Sequence, residues 1–154
     1  MPQTLAVSKG LSILSEHGPF IIRGKYYDVA AKKDLPRLQG PAGPHKTDDH
    51  DPHKEGRAID IILFASKDNE RVVADALVDV FLKVRDKMKW SAVIYNKKEW
   101  NMAGKEFPRG GDPINQHVTH IHIEWRMADA ASAAWEEDLI KALDDANWVL
   151  DPGF

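Results

Sequence analysis

The 154-residue chain contains no cysteine, which excludes disulfides, thiolate-ligated zinc, iron–sulfur clusters and thiol nucleophiles. Any metal must be held by His, Asp or Glu. Positive charge is not in excess: 21 Lys and Arg against 24 Asp and Glu leave a formal charge of −3, with a pI near 6.1. A binder that works by neutralising phosphates is not supported, and nucleic acid is not an expected partner. No apolar run approaches the roughly 18–20 residues of a membrane span. The opening Met1-Pro2-Gln3-Thr4-Leu5 lacks the basic segment and apolar core of a signal peptide. Repeats and low-complexity tracts are also missing. What the chain does have is 43% hydrophobic residues, enough to fill one core, so a single domain over residues 1–154 is expected.

Hydrophobic periodicity divides the sequence. Leu5, Leu11 and Leu14 suggest a first helix that Gly18-Pro19 ends. Phe20-Ile21-Ile22 is a short β-prone run, and residues 24–56, rich in Gly, Pro and His, read as a long functional loop. Arg57 to Phe64 alternates as a strand with Asp60 among apolar neighbours. Val73, Ala76, Leu77, Val80, Phe81 and Val84 recur at helical steps, with Asp68 or Asn69 available as a cap. Ser91 to Tyr95 is a strand, 101–116 a loop, Val118 to Trp125 a strand and Ala128 to Trp148 a closing helix. Strands and helices mix without regular βαβ spacing, which predicts an α+β class: a small mixed or antiparallel sheet with flanking helices.

Chemistry concentrates in two places. In His117-Val118-Thr119-His120-Ile121-His122-Ile123-Glu124-Trp125, residues two apart share a strand face, so His120 and His122 aim at one spot while Ile121 and Ile123 point into the core. His117 has the opposite parity and joins them only if a bulge or the start of the strand turns it inward. Upstream, His53-Lys54-Glu55-Gly56-Arg57-Ala58-Ile59-Asp60 brings a carboxylate into an apolar strand, where it needs a cationic partner. His53, Asp60 and His122 make a set suited to Zn²⁺ with a fourth position open to water. Each part also has an ordinary reading: Asp60 pairing with Arg57 or Arg23, histidines hydrogen-bonded in the core as for His17 and His45, a solvated loop holding His45, His50 and His53.

Together, His-x-x-Gly-x-Ala-x-Asp at 53–60 and His-x-x-His-x-His at 117–122 resemble the zinc peptidases that group D-alanyl-D-alanine carboxypeptidases, lysostaphin-type endopeptidases, murein endopeptidases and the hedgehog signalling domain. The resemblance covers roughly residues 50–125. The spacing of the motifs, the intervening helix, and Ala92 to Asn96 followed by Trp100 fit the D-alanyl-D-alanine carboxypeptidase-like branch. It implies a hedgehog-like fold, zinc on His53, Asp60 and His122, and hydrolysis of peptidoglycan peptides. Two positions depart from many carboxypeptidases of the group: Asp51 stands where they carry Ser, and Thr119 where they carry a Glu that acts as general base. The His117, His120 and His122 arrangement is instead similar to the murein endopeptidases, in which histidines take over the acid–base work.

A three-ligand zinc lowers the pKa of water to about 7 and polarises a scissile carbonyl. His120 is then the expected transition-state stabiliser or general acid–base, with His117 a second candidate. Tyr95, Trp100 and, for a substrate carboxylate, Arg23 are candidate substrate-binding residues; Trp125 shares Ile123's parity and is expected in the core. Without an export signal such a protein would be made in the cytoplasm and reach the wall through phage lysis, a secretion machine or a longer parent polypeptide, as an endolysin or secreted effector. The alternative expectation is a zinc-stabilised wall-binding module without turnover.

Overall fold

The computed structural model describes residues 3–40, 55–111, 116–146 and 148. Helix α1 (Leu5–His17) is followed by a 3-10 turn, Phe20–Arg23, and strands β1 (Lys25–Asp28), β2 (Lys33–Pro36), β3 (Leu38–Gln39) and β4 (Ala58–Ile62). Then come α2 (Asp68–Lys83), α3 (Arg85–Met88), β5 (Ala92–Tyr95), β6 (Lys98–Asn101), β7 (Glu106–Pro108) and β8 (His120–Glu124), with α4 (Met127–Ala130) and α5 (Glu136–Asp145) last. The class is α+β, and every strand pair is antiparallel. β1 and β2 form a hairpin of their own; the main sheet runs β3-β4-β8-β5-β6-β7.

Several elements differ from the sequence expectations. Phe20–Arg23 winds as a 3-10 turn because Gly18-Pro19 redirects the chain and the Ile22 and Gly24 amides bond back to the Pro19 and Ile21 carbonyls. The expected loop at 24–56 contains β1, β2 and β3, and the expected loop at 101–116 contains β7. The closing helix is split: Trp135 caps α5, and α4 stands apart. At the start of α2, Lys67 takes the cap position and no side chain caps it. Glu70 is instead turned inward, where its Oε1 accepts from Arg37 Nη1 at 2.6 Å and from the Phe64 amide at 3.1 Å. Arg37 Nη1 also donates to the Ile62 carbonyl at 2.9 Å. This buried cluster ties β3, the end of β4 and the first turn of α2 together.

The pleat divides the sheet into two chemically different faces. Ile59, Ile61, Ile121, Ile123, Val93 and Tyr95 are buried in the core with residues of α1, α2 and α5. Gly10 lets α1 close on β4, since a Cβ there would stand 2.8 Å from Ile59 Cδ1. Trp125 is buried as expected, stacks on Trp135 at 6.0 Å and donates its indole N–H to the Met88 carbonyl at 3.0 Å. The other face carries one row across five strands: Gln39, Asp60, His122, Ile94 and Glu99 are successive register partners.

The turn joining β5 and β6 has Asn96 at φ 49 and Lys97 at φ 69, the left-handed pair that a tight hairpin demands and that glycine best satisfies at its second position. Its amides donate to the His117 carbonyl at 3.0 Å and the Gln116 carbonyl at 2.9 Å. Lys97→Gly should relieve the strain of the exposed lysine and raise stability by about 0.5–1 kcal/mol, after the entropy that glycine costs the folded state. A thermal melt checks this; a lower midpoint would mean that the lysine stem contributes more than its backbone strain removes.

Candidate active site

Asp60 sits in the middle of β4, directly opposite His122 on β8. Both are buried, with 1% and 7% exposure. His122 Nδ1 faces Asp60 Oδ1 at 3.2 Å, and His122 Nε2 faces Glu124 Oε1 at 3.2 Å. Glu124 is in turn paired with Arg57 Nη1 at 3.3 Å, and that same nitrogen donates to the Trp125 carbonyl at 2.9 Å. Burial works against a charge on His122, but the hydrogen bonds and attraction of Asp60 and Glu124 outweigh it and raise its pKa to about 9.

His120 faces the same way. Its Nε2 lies 3.7 Å from Asp60 Oδ1, while its Nδ1 shares a hydrogen bond with the Thr119 hydroxyl at 3.0 Å. His117 precedes the strand in a left-handed conformation, φ 52. This local reversal overrides strand parity and brings its ring to 4.7 Å from that of His120 and 5.3 Å from that of His122. Three imidazoles therefore share one face with the Asp60 and Glu124 carboxylates. Backbone strain of this kind at a non-glycine residue persists where surrounding bonds hold it, here the bond from the Asn96 amide.

Two ligands about 2.1 Å from a tetrahedral ion stand roughly 3.4 Å apart, so the Asp60–His122 separation suits a shared cation, and equally a shared proton. Glu124 on the far nitrogen is the kind of partner that fixes the ring of a metal-ligating histidine. The third expected ligand, His53, lies outside the described residues. Among the described residues no group of three or more His, Asp or Glu side chains is arranged to hold a metal.

The expected substrate-binding residues are not brought to this face. Tyr95 and Trp100 follow the parity of Val93, which pairs with Ile123 and Trp100, so they belong to the opposite side of the sheet. Arg23 Nη2 donates to the Glu16 and Gly18 carbonyls at 2.8 and 2.9 Å and closes the C-terminal end of α1. The alternative pairing of Asp60 with Arg23 or Arg57 is replaced by its pairing with histidine. Nearer the site are residues the sequence did not single out. Gln39 Nε2 donates to the Tyr26 hydroxyl at 3.3 Å and the Pro36 carbonyl at 3.1 Å, leaving its buried Oε1 without a partner. Glu99 of the same row pairs with Arg109. For Glu124 the missed signal is its place two residues beyond His122 in a strand; Gln39, in a two-residue strand, had no signal.

Among the described residues no helix is long and apolar enough to cross a membrane. The family model described as the VldE C-terminal domain matches residues 27–119. The matched stretch takes in Gln39, Asp60 and His117 and ends just before β8. No curated protein and no solved structure matches the chain. More than half of the chain falls within that one match, and the protein therefore belongs to the VldE C-terminal domain family.

Proposed function

We propose that the protein is a zinc-dependent peptidase hydrolysing the peptide part of bacterial peptidoglycan, as an endopeptidase or a D,D-carboxypeptidase. The observation that carries this reading is the convergence of Asp60, His122, His120 and His117 on one sheet face, with Asp60 and His122 at a separation that suits a common ion. His53, Asp60 and His122 are the proposed ligands. Zinc held there would supply Lewis-acid polarisation of the scissile carbonyl and an activated water. Glu124, itself held by Arg57, fixes the His122 ring. His120, anchored through Nδ1 to Thr119, presents Nε2 toward the site and can hold a proton for the developing oxyanion or the departing amine. His117, packed edge-on against His122, narrows the site and is the second group able to move a proton. Such a substrate lies beyond the cytoplasmic membrane, so delivery by phage lysis, a secretion machine or a parent polypeptide is part of the proposal.

The direct test is mass spectrometry of purified sacculi incubated with the zinc-loaded protein. Released fragments with new peptide termini are expected; binding to sacculi with no bond cut would replace the enzyme by a zinc-stabilised binding module. Metal also has a stability readout, since ligand binding is coupled to folding. Chelator should lower the melting temperature of the parent protein, whereas Asp60→Ala should melt lower from the outset and no longer respond. A parent melt indifferent to both chelator and added zinc would refute the ligand assignment.

A further inference from the structure

The core-side parity that removes Tyr95 and Trp100 from the histidines places them in a groove on the other side of the sheet, lined with them by α2. We propose that this groove binds the alkylammonium group of a lysine-type side chain, independently of the chemistry proposed above. Its volume is about 340 Å³, room for roughly ten atoms or groups of water size at ~30 Å³ each. Val78 and Leu82 supply apolar surface for an aliphatic stem, and Trp100 an aromatic surface on which a cation is favoured. Three carboxylates, Asp75, Asp79 and Glu106, line it against one ammonium, that of Lys98, which stands 4.0 Å from Glu106.

A separate observation points to a hydrogen-bond donor as occupant. Tyr95 lines the same groove, is 1% exposed, and its buried hydroxyl has no hydrogen-bond partner. Such a group costs free energy until something bonds to it. Burial keeps the phenol protonated, and burial likewise raises the Asp75 carboxyl, more than Arg71 and Lys98 lower it. An anion would meet three carboxylates, and an apolar solute would satisfy none of the polar groups. An ammonium on an aliphatic stem satisfies both.

The test uses the full chain, N-acetyl-lysine N-methylamide as probe, and its norleucine counterpart as the uncharged control. The indole N–H resonance of Trp100, identified by its loss in Trp100→Phe, reports occupancy. The lysine probe should shift it saturably and the norleucine probe should not. Asp75 is exposed on α2, so Asp75→Asn should fold normally and weaken the lysine probe about tenfold, as loss of a charge-assisted contact does. Tyr95→Phe should weaken it as well, while Asp144→Asn, remote on α5, should not. Equal binding of both probes, a shift that never saturates, or unchanged affinity in Asp75→Asn would overturn the proposal. Since the readout is a resonance and not hydrolysis, these outcomes leave the proposed peptidase activity untouched.

Discussion

His120→Ala is expected to keep parental zinc content while its hydrolysis of cross-linked wall peptides falls by about 10²–10³-fold, the usual cost of one preorganised group acting on the transition state. The expectation rests on geometry. His120 Nε2 is 3.7 Å from Asp60 Oδ1, whereas His122 Nδ1 is 3.2 Å away and has Glu124 behind it. His122→Ala should behave differently, losing metal and hydrolysis together and unfolding more readily, because the buried Asp60 carboxylate and the partly exposed Glu124 carboxylate then face each other across an emptied position. Elemental analysis beside a rate measurement separates the two variants. A His120→Ala protein that cleaves at the parental rate would remove His120 from the chemistry and leave His117, the neighbouring ring, as the group to test.

The largest effect on stability is expected from Glu70→Ala. The Glu70 carboxylate accepts from both Arg37 and the Phe64 amide, and Arg37 and Glu70 are 9% and 3% exposed. Removing one partner of a buried ion pair leaves the other charge uncompensated and typically costs 3–5 kcal/mol; at this chain length that lowers the melting temperature by on the order of 10 °C. Glu70→Gln, which keeps an acceptor oxygen, should lose less. Urea unfolding should show a lower midpoint with an unchanged slope. A midpoint within the error of the parent would mean that Arg37 finds another acceptor when Glu70 is gone.

Strands β4 and β8 and helix α2 were legible because each buries a long periodic face, and the alternation of β8 also gave the shared direction of His120 and His122. The hairpin β1–β2 and the edge strands β3 and β7 were not. They are two to four residues long and owe their extended conformation to pairing with distant segments, as Leu38 and Gln39 do with Ile61 and Asp60. Parity alone left the position of His117 open, because nothing in Gln116-His117-Val118 announces a left-handed backbone; the amide that holds it comes from Asn96. Likewise nothing in the sequence singles out Glu70 in the first turn of α2, and only the approach of Arg37 from β3's side of the fold turns it inward. Tyr95 and Trp100 were attractive as aromatic residues near the motifs, but their side follows from a pairing register that the sequence does not display.

The division of the sheet by parity bears on how this chain can vary in length. Substitutions in β8 are judged separately on each side: an isoleucine at 121 or 123 answers only to the core, a histidine at 120 or 122 only to the site. Loss or gain of one residue within β8 is judged on both at once, because a single step exchanges every side chain between the faces. Imidazoles would then enter the core packed under α1 and α2, and isoleucines would stand beside Asp60. The strand can therefore change its composition one face at a time, while its residue count is locked; changes in length have to be absorbed in the connections outside it.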